Sequence, residues 1–176
     1  IPGGSPTARG LSRAVMGLDG PAASDIITTA LLQDGVIATW DDLLAPVLVG
    51  VGRRYESSGA GVEVEHLLSE CISTCLRAVA TGLSRPLNLR PVLLAGADEE
   101  QHTLPLFAVA AALAERGVAT RMLGGRVPRG ALAAAIRRSG PLAVMVWAQL
   151  PARGEGSQLA DLPVLRPPPL IVVGGP

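Results

Sequence analysis

The chain has 176 residues, of which 48% are hydrophobic, so it can bury a sizeable core as one domain or as two small ones. Its 15 basic and 15 acidic residues cancel and only 2% of its residues are aromatic, which argues against a nucleic-acid-binding surface and against a stacking platform for single strands. No charged start precedes an apolar segment and no apolar run approaches about 20 residues, so neither a signal peptide nor a membrane span is predicted, and a cytoplasmic protein is expected.

The first half of the chain has apolar residues at helical spacing. Residues 1–10 are predicted to form a tail or linker. Helices are predicted over residues 11–18, 22–33, 40–55 and 62–83. The second ends at the turn pair Asp34-Gly35, and Pro46 is tolerated in the third only near its first turns or as a kink. Short loops between the helices predict a small bundle over residues 19–85, preceded by a linker and first helix over 1–18.

The two cysteines, Cys71 and Cys75, lie four residues apart on the predicted fourth helix. They share a face, but helix geometry points their side chains poorly for a disulfide, and no second pair offers zinc ligands. We expect two small buried hydrophobic residues.

After a linker at residues 84–88 the pattern changes to alternating strands and helices. Buried strands are predicted over residues 91–95, 118–123, 142–148 and 170–173, and helices over 104–116, 128–138 and, briefly, 157–161. This alternation predicts an α/β fold, with a Rossmann-like parallel sheet over residues 86–176 that is cut short after its fourth strand. The Gly-x-Gly-x-x-Gly fingerprint and the Walker A loop are both absent, so no glycine-rich phosphate cradle is expected.

One candidate site is the turn after the first strand, which contains Glu100 and His102. This turn is expected at the carboxyl edge of the sheet, where open α/β sheets bind their ligands. From these residues alone, a surface or structural histidine is an equally good interpretation of His102.

A second candidate site lies between the third and fourth helices. Tyr55 is followed by nine residues, 56–64, and then by the pair Glu65-His66. A helix end, a glycine-containing turn and a helix start thus bring an aromatic ring, a carboxylate and an imidazole together. Taken singly, a Glu-His pair on a helix is more often a solvated or core position, and a tyrosine at a helix end more often serves packing.

Together these motifs resemble the cobalamin-binding photoreceptor domains of MerR-type transcription regulators, the CarH and LitR group. In that family a helical bundle carries Trp, nine residues and Glu-His, and a Rossmann-like domain carries Asp-x-His-x-x-Gly, Ser-x-Leu and Gly-Gly. Tyr55 takes the place of the Trp, and Glu65-His66 matches outright. In the second half the matching segments are Glu100-Gln101-His102-Thr103-Leu104-Pro105, then after 42 residues (106–147) Ala148-Gln149-Leu150, and finally Gly174-Gly175. The resemblance covers residues from about 20 to 176.

The resemblance implies a cobalamin site, with adenosylcobalamin as the expected form. It implies that His102 is the lower axial ligand of cobalt and that Glu100 orients its ring. The nucleotide tail of the cofactor would pass the small residues Ala148, Gly174 and Gly175. The bundle would cap the upper face of the cofactor with Tyr55, Val62, Glu65 and His66.

The resemblance also implies a function and its partners. In such proteins light breaks the cobalt–carbon bond and alters oligomeric state and DNA binding, so a homo-oligomer is expected. No helix-turn-helix domain precedes residue 1, so DNA is expected as a partner only through such a domain outside this chain. Two alternatives stay open. The first is a corrinoid carrier module of a methyltransferase, and the second is a degenerate family member that binds another small molecule or only a protein. The substitutions at Tyr55, Glu100, Pro105 and Ala148 keep the second alternative open.

Overall fold

The computed structural model describes residues 5–149, 159 and 162–175, except for the side chain of Ser58. The chain falls into two compact units, Ile1–Val79 and Ala80–Pro176. The first is helical and the second contains a parallel sheet. The predicted fold class is confirmed.

The helical unit is a set of four α-helices with one π-helical segment. The elements are α1 (Pro6–Met16), α2 (Gly20–Thr39), the π-helical segment Trp40–Leu44, α3 (Ala45–Ser58) and α4 (Val62–Thr81). Each α-helix of the first unit contributes side chains to its interior, and those with no exposed surface include Leu11, Ile27, Val47, Leu68, Ile72 and Leu76. Burial of this apolar surface is the main term that stabilises the unit.

Two predicted boundaries in the helical unit are wrong. The first helix begins at Pro6 rather than at Leu11, because the Ser5 hydroxyl accepts a hydrogen bond from the backbone N–H of Ala8 at 3.1 Å and Pro6 occupies the first helical position. The second helix does not end at Gly35. That residue adopts φ 77° and ψ 171°, which kinks the chain, and helical structure then resumes on its far side.

Pro46 is the second residue of α3, directly after the π-helical segment, and its missing N–H leaves a gap in the hydrogen-bond ladder of the continuous helical stretch Gly20–Ser57. By length and composition alone, the helical stretch Gly20–Ser57 is long and apolar enough to cross a membrane. The sequence-based expectation is that no segment meets these criteria. A third of that window is buried, and the core helix of a water-soluble protein passes the same test. The stretch is therefore weak evidence for a membrane span.

The sheet unit alternates strands and helices as predicted. Its elements are β1 (Val92–Gly96), α5 (Leu104–Glu115), β2 (Thr120–Gly124), α6 (Arg129–Ser139), β3 (Ala143–Trp147) and β4 (Leu170–Gly174). All three strand pairings are parallel and the strand order is β2-β1-β3-β4. Leu150 and most of the short helix predicted over 157–161 lie outside the described residues.

The two helices of this unit cover opposite faces of the sheet. Leu106 and Ala110 of α5 pack with Val92 and Leu94 of β1. The other face of the same strand packs against α6, in a cluster that includes Leu93, Ala95, Val144, Leu132 and Ile136. The chain runs from β1 to β2 on one side and then crosses to β3 on the other side of β1, so the topological switch point lies between β1 and β3. The carboxyl ends of these two strands are where such sheets bind ligands.

Candidate functional site

The turn after β1 is fixed by backbone hydrogen bonds to itself and to β3. The N–H of Glu100 donates to the carbonyl of Ala97 at 2.9 Å, and the N–H of Ala97 donates to the carbonyl of Trp147 at 2.8 Å. These bonds hold Glu100 in the turn at the carboxyl end of β1, where 0% of its surface is exposed. A carboxylate is rarely found so deeply buried unless it is paired.

The carboxylate of Glu100 has hydrogen-bond partners on two loops. Its Oε1 accepts the backbone N–H of His102 at 2.8 Å and lies 2.6 Å from the Nδ1 atom of the same residue. Its Oε2 accepts the backbone N–H of Gln149, on the loop after β3, at 2.7 Å. The main-chain oxygen of Glu100 accepts the N–H of Arg126 at 2.7 Å. One residue thus joins the loops that follow β1, β2 and β3.

These contacts determine the charge of the site. Burial by itself raises the pKa of Glu100, but the hydrogen bonds from the backbone and ring of His102 and from the backbone of Gln149 outweigh it and lower that pKa to about 2. Glu100 is therefore ionised throughout the neutral pH range, and it holds the proton of His102 on Nδ1.

The ring of His102 is oriented for a ligand. Its side chain is 55% exposed, and the bond to Glu100 leaves Nε2 as the nitrogen with a free lone pair. Within the described part of the chain, no group of three or more His, Cys, Asp or Glu side chains could hold a metal ion. A single imidazole held by a carboxylate suits a metal that brings its other ligands with it in a macrocycle.

Two glycines allow the turn of Glu100 to approach the loop after β2. A Cβ atom on Gly125 would lie 2.8 Å from the carbonyl oxygen of Glu100 and 3.1 Å from Cγ2 of Thr103. A Cβ atom on Gly96 would lie 3.0 Å from the Cα of Gly125. The sequence predicts only a turn at Gly124-Gly125, so this packing role was missed, although the paired glycines after a strand were the available signal.

The small residues near the end of β4 are packed against neighbouring atoms of the same chain. A Cβ atom on Gly175 would lie 2.6 Å from the carbonyl oxygen of Ala148, and one on Gly174 would lie 2.8 Å from Cε of Met145 and 3.0 Å from Cε3 of Trp147. The N–H of Ala148 donates to the carbonyl of Gly174 at 2.9 Å. The glycines thus let β4 pack beside Trp147 and Ala148.

Two non-glycine residues with left-handed backbone flank the site. Glu99 has φ 62° and Arg126 has φ 52°, and their side chains form an ion pair. Such backbone is uncommon outside glycine, and it often occurs at functional sites. Neither residue was singled out from the sequence, because the ion pair joins two loops that are far apart in the chain.

The second candidate set lies on the helical unit. Tyr55 is in the last turn of α3, which ends when Gly59 takes a left-handed conformation and donates its N–H to the Tyr55 carbonyl at 2.7 Å. The first two turns of α4 contain Val62, Glu65 and His66. All four side chains are exposed, with Tyr55 at 45% and Val62 at 42%. The turn thus presents an aromatic ring, an acid and an imidazole to the surface of this unit.

Comparison with known proteins identifies relatives of both units. The B12 binding domain family matches residues 7–80. The chain is 35% identical over 124 residues to the HTH-type transcriptional repressor CarH of Myxococcus xanthus, a match that covers 70% of this chain and 41% of that protein. The chain thus spans about two fifths of the length of this relative.

A solved structure has the same fold. It is the monomethylamine corrinoid protein of Methanosarcina barkeri, with a TM-score of 0.67, 14% sequence identity, and coverage of 94% of this chain and 82% of that one. At this identity the likeness concerns the fold alone.

Proposed function

Since residues 7–80 match the B12 binding domain family and the chain is 35% identical to the CarH repressor over 124 residues, we propose that it is the cobalamin-binding sensor domain of a transcriptional regulator. The observation that carries the proposal is the pair formed by His102 and the buried, ionised Glu100 at the switch point of the sheet. A carboxylate on Nδ1 raises the basicity of Nε2, which favours its binding to cobalt.

Each unit is assigned a part of the cofactor. In the sheet unit, His102 is the proposed lower ligand of cobalt, Glu100 is its positioning residue, and the loops at Ala148 and Gly174-Gly175 receive the nucleotide tail. In the helical unit the residues proposed to contact the group on the upper face are Tyr55, Val62, Glu65 and His66. Their exposure leaves them available for a ligand.

The proposed cofactor is adenosylcobalamin, which supplies a cobalt–carbon bond that light can break. The residues of this chain bind the cofactor, orient the imidazole and keep its proton on Nδ1. The proposed partners are further copies of the chain, and DNA through a helix-turn-helix domain outside it. A cytoplasmic location follows from this role.

The absorption spectrum of the protein tests the function. Mixed with adenosylcobalamin in the dark and desalted, the protein should retain the corrinoid, and green light should change its spectrum. A protein that retains no corrinoid would contradict the proposed cofactor. Retention without a photochange would contradict the light response and favour a carrier.

The two histidines of the chain provide a matched pair of variants for the axial ligand. His102→Ala should weaken cobalamin binding by at least about tenfold, because the lower ligand is lost. His66→Ala should leave the lower ligand in place. The electron paramagnetic resonance signal of bound cob(II)alamin should show a triplet superhyperfine splitting in unlabelled protein and a doublet in protein labelled with ¹⁵N-histidine. His66→Ala protein should show the same change on labelling, because His102 is still the ligand. Equal affinity of wild type and His102→Ala would show that the axial assignment is wrong.

A further inference from the structure

Trp147 has a buried hydrogen-bond donor for which the described residues provide no acceptor. Its Nε1 atom is inaccessible to solvent and has no hydrogen-bond partner, whereas the other two such atoms within the described residues are hydroxyls of Ser12 and Thr39 in the helical unit. Buried donors in native proteins are nearly always paired, so an orphaned indole N–H calls for an explanation. A hydroxyl can turn toward another acceptor, but an indole N–H is fixed by its ring.

The position of Trp147 places this donor at the ligand-binding edge of the sheet. Trp147 is the last residue of β3 and is in register with Gly96 of β1 on one side and Gly174 of β4 on the other. The residue that follows it is Ala148, beside the carbonyl of Gly174. Trp147 is therefore next to both of the small segments proposed to receive the nucleotide tail.

The contacts of the ring show which of its edges remains available. A Cβ atom on Gly174 would lie 3.0 Å from Cε3 and 3.2 Å from Cζ3 of Trp147, so the benzene edge of the indole faces β4. Nε1 is on the opposite edge of the ring. The indole packs on the sheet face covered by α5, with Leu94 and Leu106, whose side chains offer no acceptor.

We propose that the indole N–H of Trp147 donates a hydrogen bond to a nitrogen or oxygen acceptor on the nucleotide tail of bound cobalamin. The inference rests on the proposed cobalamin site. The benzene edge of the indole lies against Gly174, so a tail that passes this glycine has to continue across β3 toward β1 to meet the edge that carries Nε1. The tail brings acceptors of the needed kind, namely a base nitrogen released from cobalt, ribose oxygens and phosphate oxygens.

Trp147→Phe tests the proposal because phenylalanine keeps an aromatic ring and removes the donor. Its affinity should be compared with that of wild type for cobalamin and for cobinamide, a corrinoid that lacks the nucleotide tail. Loss of the donor should weaken cobalamin binding by between about 5- and 150-fold, since a buried tail acceptor loses its partner. Cobinamide binding should not change. Trp40→Phe, the same substitution at the other tryptophan, should leave both affinities unchanged.

The outcomes separate this inference from the function on which it rests. If wild type retains no cobalamin, the proposed function fails. If wild type binds and Trp147→Phe binds cobalamin equally well, or loses cobalamin and cobinamide affinity alike, the hydrogen bond is contradicted. Without cofactor, Trp147→Phe should lose only the stability that comes from the apolar surface of the larger ring. Loss of the donor itself should cost nothing, because the donor was unpaired.

A second measurement does not depend on the folding of that variant. In Trp40→Phe protein Trp147 is the only tryptophan, so its indole N–H gives one ¹H–¹⁵N resonance. Cobalamin should shift this proton downfield and protect it from exchange with water beyond the effect of cobinamide. Identical spectra with cobalamin and cobinamide would overturn the proposal.

Discussion

At the scale of the residue, Glu100 shows how a buried acid is kept ionised. Two backbone N–H groups and a ring N–H are directed at its two oxygens, and each oxygen serves a different loop. Glutamate stands where the resembling family has aspartate, and the extra methylene lengthens the reach of the carboxylate. The link to the loop after β3 ends on the backbone of Gln149, so it does not need the serine that Ala148 replaces.

The lowered pKa of Glu100 predicts how stability depends on pH. The carboxyl has a pKa of about 2 when folded and an ordinary value of 4.5, so its contribution is complete above pH 4.5 and is lost as the pH falls toward 2. The contribution is on the order of 3 kcal/mol at neutral pH. In urea denaturation of the cofactor-free protein, Glu100→Gln should be less stable than wild type at pH 7, and the difference should narrow toward pH 3.

Glu99→Gln is the control for this effect. The Glu99 side chain is 64% exposed and its partner Arg126 is 54% exposed, so the substitution should change the free energy of unfolding by less than about 1 kcal/mol. If the free energies of unfolding of Glu100→Gln and wild type fall in parallel between pH 7 and pH 3, the assignment of Glu100 as a buried, ionised carboxylate is wrong.

The sequence indicates part of this site but not its connections. The strand-turn-helix pattern locates Glu100 and His102 after β1, and the resemblance suggests that they act together. The bonds from Gln149 and Arg126 could not be foreseen, because they depend on how three loops meet after the sheet has formed. The same reason hides the orphaned donor of Trp147, which sequence alone presents as one more buried strand residue.

At the scale of the element, the loop after β2 is constrained by the space that Gly125 leaves free. Gly125→Ala would bring a methyl group within 2.8 Å of a backbone oxygen, so the two loops would have to separate. We expect a loss of about 1–3 kcal/mol in the free energy of unfolding, and weaker cobalamin binding because the turn of His102 moves.

Gly130→Ala is the matched control for Gly125→Ala. Gly130 lies in the first turn of α6 and a Cβ atom there meets nothing within 4 Å. Alanine should leave stability unchanged or raise it by up to about 1 kcal/mol. Chemical denaturation and corrinoid titration of both variants check the pair. Equal stabilities of the two variants would contradict the close packing at Gly125.

The elements themselves follow from local patterns where one physical effect dominates. Apolar runs of strand length predict β1 to β4 to within two residues, and burial on both faces is confirmed for β1. The predicted burial of the fourth strand is wrong, because four of the five residues of β4 are exposed among the described residues. Predictions fail where a capping or backbone effect competes. Ser5 and Pro6 start α1 within an apparent tail, and Gly35 kinks a helix that its turn-like sequence was expected to end.

At the scale of the whole molecule, the change in hydrophobic period near the middle of the chain predicts a helical part and an α/β part. Contacts within the structure divide the chain into two units of these types. The B12 binding domain family matches the helical part, whereas the similarity to CarH extends over 124 residues.

The reactivity of the two cysteines in the helical unit reports how often its helices separate. The thiol of Cys71 donates to the carbonyl of Gly20 at 3.7 Å and that of Cys75 to the carbonyl of Ser24 at 3.8 Å, so both thiols are covered where α4 packs on α2. A thiol reagent can reach them only when these helices part, so the labelling rate of the unmodified protein measures the free energy of that opening. Labelling should be much slower in native buffer than in urea, and following it in the dark and in light would show whether illumination loosens this unit. Labelling at the rate of the unfolded chain in native buffer would contradict the packing of α4 on α2.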